Sequence, residues 1–84
     1  MEKKRYAELS ALKGKLREEK ITYRVLSKNT GISLNALNSK LNGYSSFDLN
    51  EANKVINEIK IEPSEIARYF FPEMLRKATN NRVN

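Results

Sequence analysis

The feature that most constrains the fold is a glycine-centred turn between two short segments of helical character. Leu26 lies before the turn and Leu37 after it, and Gly31 supplies the positive φ that a tight exit from a helix requires. Thr22 and Ser33 carry side chains that cap helix N-termini, and each stands just ahead of one segment. The pattern therefore predicts two short helices joined by a tight turn.

Apolar residues recur at helical spacing on both sides of this pair. Leu9, Leu12 and Leu16 predict an amphipathic helix before it, while Asp48 with Glu51 resembles the capping box of a helix after it. No segment alternates as a β-strand would. We predict an all-α domain over residues 1–77 and a flexible tail over residues 78–84. The five predicted helices run to about residue 19, from 23 to 28, from 34 to about 41, from 49 to 59 and from 63 to about 71.

The composition excludes several classes of function. The chain has no cysteine and no histidine, so the usual zinc sites and the commonest general base are missing. We therefore expect no enzyme activity, no metal, no cofactor and no small-molecule ligand. No apolar run is long enough to span a bilayer, and the polar residues after the basic N-terminus do not suit a signal peptide. We expect a cytoplasmic protein.

The net charge of +6 is concentrated in the first half of the chain. Residues 1–45 contain ten lysines and arginines against four acidic residues, whereas residues 46–84 contain six of each. This asymmetry favours a polyanionic partner, nucleic acid ahead of a membrane surface. The alternative is that the charge only makes the surface soluble.

A set of residues spread over most of the chain carries a family resemblance: Thr22 to Ser33, Leu37, Asn38 to Gly43, Phe47 and Ile66 to Phe71. Together they resemble the lambda-repressor-like family of phage repressors and Cro proteins, and in particular small phage-encoded Cro-like regulators. The resemblance implies a five-helix domain whose helix-turn-helix reads double-stranded DNA. It also implies a regulator that represses transcription by occupying an operator in a bacterial host cell.

Three positions depart from the family pattern. Tyr23 stands where a glutamine commonly begins the second helix and touches a phosphate, and its hydroxyl can serve the same role. Thr30 replaces a usual leucine. Lys40 occupies a position that is commonly aliphatic or tryptophan, and Leu41 takes over its packing.

The third helix would present an uncharged polar face to DNA. At about 100° per residue, Leu37 and Leu41 fall on one side, opposite side chains that can hydrogen-bond to base edges. Leu34 suits either the core or a thymine methyl group. The predicted base-contacting residues are Ser33, Leu34, Asn35, Asn38 and Ser39.

Phosphate contacts are expected from polar and cationic groups that flank this face. They are Lys20, Thr22, Tyr23, Arg24, Lys28, Lys40, Asn42 and Ser45. The basic arm at residues 3–5 either joins them at a minor groove or phosphate, or is a frayed terminus.

The C-terminal third is rich in apolar side chains, and a homodimer would bury them and place two recognition helices on a palindromic site. The predicted interface residues are Tyr69, Phe70, Phe71, Met74 and Leu75. Alternatively, Phe70 and Phe71 cover the core of a monomer. A second hypothesis for function is a small helical module that binds protein, such as an antirepressor or a binder of a host factor.

Overall fold

A computed structural model of the chain describes residues 3–74. It contains five α-helices: α1 (Ser10–Glu18), α2 (Tyr23–Thr30), α3 (Leu34–Leu41), α4 (Leu49–Ile59) and α5 (Ile66–Phe70). A 3₁₀ turn at Pro63–Glu65 leads into α5, and residues 72–74 are again helical. No strand occurs within residues 3–74. The predicted all-α class is confirmed.

Three helices start where the predicted caps stand. The Thr22 hydroxyl accepts a hydrogen bond from the Val25 amide at 3.1 Å, and the Ser33 hydroxyl accepts one from the Ala36 amide at 3.1 Å. At α4, the Asp48 carboxylate and Glu51 form a reciprocal capping box. Each of these bonds satisfies an amide that would otherwise lack a partner at a helix N-terminus, so the sequence dictates these starts locally.

The core lies where α1, α2, α3 and α4 meet, and α5 closes it beside α1. Its fully buried side chains are Leu12, Leu16, Leu26, Leu37, Leu41 and Val55. Phe47 and Phe70 close one end of it with their rings edge to face at a centroid distance of 5.5 Å. The leucines predicted on the inner sides of the first three helices therefore form the core.

Two side-chain hydroxyls fix the turn between α2 and α3. The Ser27 hydroxyl donates to the Ile32 carbonyl at 2.5 Å. The Thr30 hydroxyl accepts from the Ile32 amide at 3.3 Å and donates to the Leu26 carbonyl at 2.7 Å. Gly31 has φ 78°, as a left-handed helix exit requires. Since both polar groups of the Ile32 backbone are bonded, the angle between the two helices is held locally.

The N-terminal segment is attached to the loop after α3. The amides of Arg5 and Tyr6 both donate to the Gly43 carbonyl, at 2.9 and 3.0 Å, and the Leu9 amide donates to the Leu41 carbonyl at 2.9 Å. The basic arm therefore does not fray at Arg5 and Tyr6.

Some predictions fall on residues outside the described range. These are the flexible tail over residues 78–84 and the interface residue Leu75. Among residues 3–74, no helix has the length and apolar character needed to cross a bilayer.

Candidate nucleic-acid interface

The outer side of α3 carries two unbonded amide side chains, which we call the asparagine face. Asn35 and Asn38 are exposed, and neither side chain forms a hydrogen bond within residues 3–74. Leu37, on the inner side, is fully buried, and Leu34 is 37% exposed at the boundary between the two sides. Ser39 is half-buried beside the face. The helix is therefore rotated as its apolar spacing predicts.

The chemistry of this face suits base recognition. A free primary amide donates and accepts at once, which is what the N6 and N7 positions of adenine require. The Ser33 hydroxyl accepts the capping bond from Ala36, and its own proton remains available for donation at the start of α3. The face carries no charge, so any discrimination it makes between base pairs comes from hydrogen-bond geometry.

A shallow groove at the junction of α1 and α2 gathers groups that suit phosphate binding. Its polar lining comprises Lys13, Arg17, Lys20, Thr22 and Tyr23. The last three are among the residues predicted from the sequence to contact phosphate, and the first two are not. Lys13 and Arg17 are four residues apart on α1, a spacing that places both on one side of a helix and would have identified them.

Four cations on α1, on α2 and in the turn between them, which we call the cationic edge, have no acidic partner in the described structure. They are Arg17, Lys20, Arg24 and Lys28, all exposed. Arg24 and Lys28 are one turn apart on α2. None of the four forms an ion pair within residues 3–74, whereas Lys15 on α1 pairs with Glu18 and Glu19. Their charges are available to an external polyanion.

Lys40 has a different environment at the other end of α3. Its ammonium lies 3.1 Å from the Ser46 carbonyl and 3.3 Å from the Glu51 carboxylate, and its side chain is only 15% exposed. Glu51 also accepts from the Asp48 amide in the capping box of α4. Lys40 thus joins the end of α3 to the start of α4.

Asn42 is also bonded internally. Its amide nitrogen donates to the Asn38 carbonyl at 2.9 Å, and its amide oxygen accepts from the Lys13 ammonium. Lys13 in turn donates to the Glu8 carboxylate at 2.8 Å. The hydrogen bonds from Lys13 and then Lys4 hold the pKa of Glu8 below its ordinary value. We call Lys13, Lys40 and Asn42 the bonded end.

Ser45 stands beside the bonded end. It is half-buried, and its amide lies 3.3 Å from the Ser39 carbonyl, which also accepts from the Tyr44 amide at 2.9 Å. The structure thus brings one group of the predicted phosphate contacts together at the cationic edge. It engages Lys40 and Asn42 in internal bonds, and their contact with phosphate stays a prediction.

The chain matches a known protein family. A family model described as Protein of unknown function (DUF739) matches residues 6–73, which include all five helices. The chain belongs to the DUF739 family. No curated protein and no solved structure shows significant similarity to it. The matched range begins at Tyr6, so it includes the bond from the Tyr6 amide to Gly43, while Arg5 lies just before it.

The apolar residues near the C-terminal end of the DUF739 unit divide into two groups. Phe70 is 6% exposed and packs on Phe47, and Tyr69 is half-buried against the core. Phe71 and Met74 are 38% and 63% exposed beside an apolar groove. Phe70 therefore covers the core of the monomer, and of the four predicted interface residues that lie within residues 3–74 only Phe71 and Met74 are exposed.

Side chains that could bind a metal ion do not form a cluster in the described part of the chain. Within residues 3–74, no group of three or more acidic side chains is placed to bind one.

Proposed function

We propose that this DUF739 protein is a sequence-specific, double-stranded DNA-binding transcriptional regulator of the Cro-like type. The observation that carries the proposal is that, within residues 3–74, the asparagine face of α3 is exposed and unbonded and the cationic edge on the elements before α3 forms no ion pair. A surface that combines uncharged base-reading groups with flanking cations suits the two tasks of DNA recognition.

In this mechanism α3 enters the major groove of the operator. Asn35 and Asn38 form hydrogen bonds to base edges, and Leu34 packs against a thymine methyl group from the boundary of the helix. Arg24 and Lys28 neutralise phosphates along one strand, and the hydroxyls of Thr22 and Tyr23 add uncharged contacts to the same backbone. Occupation of the operator then represses transcription.

The hydrogen bonds refine the roles of the other predicted contacts. Arg17 joins the phosphate contacts because it is exposed in the groove with Lys20. Lys40 and Asn42 act mainly as positioning residues, because their polar groups already hold the end of α3 to α4 and α1. This division explains why a basic residue is useful at position 40 even when it touches no phosphate.

We also propose that the protein acts as a homodimer, at least on DNA. One α3 helix covers few base pairs, and two related by a two-fold axis would read half-sites about 34 Å apart. Phe71 and Met74 are the exposed apolar residues that such a contact would bury.

Selection of bound duplexes from a random pool tests the proposal, followed by titration of the selected duplex at several salt concentrations. The expected result is an enriched motif and a log K that falls by about 0.9 per neutralised phosphate for each unit of log salt. An Arg24→Ala, Lys28→Ala double variant should reduce that slope by about 2. A matched control, Lys54→Ala with Lys60→Asn, removes two charges from α4 and its C-cap and should leave the slope unchanged.

The proposal would be contradicted if the selection yielded no motif and the protein bound the selected duplexes no more strongly than random ones. That result would favour the second candidate, a protein-binding module. That candidate is supported by the groove beside Phe71 and Met74, which is lined mainly by apolar groups. Binding of a protein to that groove should depend weakly on salt, since its lining offers few charges.

A further inference from the structure

We propose that the basic arm at residues 3–5 forms a second contact with the DNA backbone, held at the C-terminal end of α3 by Gly43. The inference rests on the proposed DNA-binding function and extends it. It assigns to Lys3 and Arg5 the role that the cationic edge plays at the other side of the helix-turn-helix.

The attachment of the arm depends on glycine at position 43. Two consecutive amides, those of Arg5 and Tyr6, donate to the single carbonyl of Gly43. Gly43 has φ 92°, and a Cβ atom there would lie 2.5 Å from the Tyr6 carbonyl oxygen and 3.3 Å from the Glu8 amide. Both are backbone atoms that cannot turn aside. Only glycine permits the arm to lie this close to the loop.

A chain of polar contacts connects the arm to the asparagine face. Lys4 lies 3.3 Å from Glu8, and Glu8 accepts from Lys13 at 2.8 Å. Lys13 bonds to Asn42, which donates to the Asn38 carbonyl. Asn38 and Asn42 are one turn apart on the same side of α3. The arm is therefore fixed beyond the C-terminal end of the face that we propose reads the bases.

The three cations of the arm are not equally free to bind an external anion. Lys4 is paired with Glu8 and lies 5.8 Å from the centre of the Tyr44 ring. Lys3 and Arg5 are exposed and form no ion pair within residues 3–74. The backbone is anchored at Arg5, two residues from Lys3, so binding of these side chains to a phosphate costs less conformational freedom than it would in a mobile tail.

The position of the arm favours DNA as its target. The cationic edge lies on α1, α2 and the turn between them, while the arm is anchored to the loop that follows α3. The two groups therefore belong to different elements, one set before the turn into α3 and the other attached after α3. A duplex seated on α3 would meet cations from both, as expected where a recognition helix lies between two phosphate backbones.

The test compares the Lys3→Ala, Arg5→Ala double variant with the Lys54→Ala, Lys60→Asn control. Both are titrated with the selected duplex and with a random-sequence duplex over a range of salt concentrations. We expect the arm variant to bind both duplexes about ten-fold more weakly at low salt and to lose 1 to 2 units of salt slope, because phosphates carry no sequence information. The motif that it selects should not change.

Gly43→Ala supplies a second test, since it keeps both cations but forces the arm away from its site. Where circular dichroism shows it folded, it should lose as much affinity as the double variant. Should it not fold, the exposed Lys3 and Arg5 substitutions decide alone.

The two proposals fail differently. Wild-type protein that binds no duplex would overturn the proposed function. If the wild-type protein selects a motif but the arm variant equals the control in affinity and salt slope, only the arm contact is overturned.

Discussion

The lysines at the two ends of the α2–α3 pair have opposite environments. At the cationic edge, Arg24 and Lys28 are exposed and form no ion pair within residues 3–74. At the bonded end, Lys40 and Asn42 are held by Glu51, Ser46 and Lys13. The role of a lysine near α3 therefore depends on which acceptors the fold brings close to its ammonium group.

The bonded end stabilises the fold because its partners are themselves partly buried. Lys40 and Glu51 have side chains that are 15% and 24% exposed, so their attraction is screened less than that of a surface pair. Glu51 also belongs to the capping box of α4. Loss of Lys40 would leave a carboxylate and a carbonyl with poorer partners, while loss of Lys28 would leave no protein group unpaired within the described structure.

Both ends depend on the position of α3 in the core, so removal of Leu37 should have the largest effect. Leu37 is fully buried, and Leu37→Ala should lower the free energy of unfolding by about 2 to 5 kcal/mol. Urea denaturation provides the measurement. Leu49→Ala is the matched control, because Leu49 is 74% exposed and should cost less than about 0.5 kcal/mol. Equal stability of the two variants would show that α3 does not pack in this register.

The turn between α2 and α3 should be the next most sensitive point. Thr30→Val keeps the shape of the side chain but leaves the Ile32 amide without its acceptor in a buried turn. We expect a loss of about 1 to 3 kcal/mol by thermal or urea denaturation. Thr30→Ser retains the hydroxyl and should lose less. A valine variant as stable as the serine variant would mean that the hydroxyl does not hold the turn.

Alanine substitutions of Lys40 and Lys28 test whether the two ends of the α2–α3 pair differ in role. Lys40→Ala should destabilise the protein by about 1 to 2 kcal/mol, and Lys28→Ala by less than about 0.5 kcal/mol. On DNA the order should reverse, with Lys28→Ala lowering the salt slope by about 1 and Lys40→Ala changing it little. The free energy of unfolding and the salt dependence of DNA binding are measured for both variants under the same conditions. Two lysines with the same pair of effects would remove the distinction between the ends.

The smallest predicted effect concerns pH at the bonded end. Hydrogen bonds from Lys13 and Lys4 lower the pKa of Glu8 from 4.5, so the folded state binds this proton less tightly than the unfolded state. The stabilisation is therefore present above pH 4.5 and is lost as the pH falls through the lowered value. The difference in stability between wild type and Glu8→Gln should shrink between pH 6 and about pH 3. A difference that stays constant over this range would show that the carboxylate charge contributes nothing.

Local patterns predicted most of the fold. The caps at Thr22, Ser33 and Asp48 and the buried leucines depend on residues a few positions apart, so the sequence indicates them directly. The observed helices differ from the predicted ones by a few terminal residues: α2 continues to Thr30, and a 3₁₀ turn precedes α5. These shifts reflect hydrogen bonds at helix termini, where several geometries have similar energies.

The site was predictable only where it depends on one helix. The rotation of α3 follows from its leucines, but the bond between Lys13 and Asn42 joins residues that are 29 positions apart. The same holds for the contacts of Arg5 and Tyr6 with Gly43. Phe70 and Phe71 are adjacent and chemically identical, and only the packing of α5 places the first in the core and leaves the second exposed.

Whether α3 reads bases is decided by the affinity of Asn35→Ala for the selected duplex and for a random duplex. Asn53→Ala, an exposed asparagine on α4, serves as the matched control. If the asparagine face reads bases, Asn35→Ala loses about 1 to 3 kcal/mol on the selected duplex and almost nothing on the random one, while the control binds both as wild type does. Equal losses on both duplexes, or none on either, would contradict the claim that α3 recognises sequence through this face.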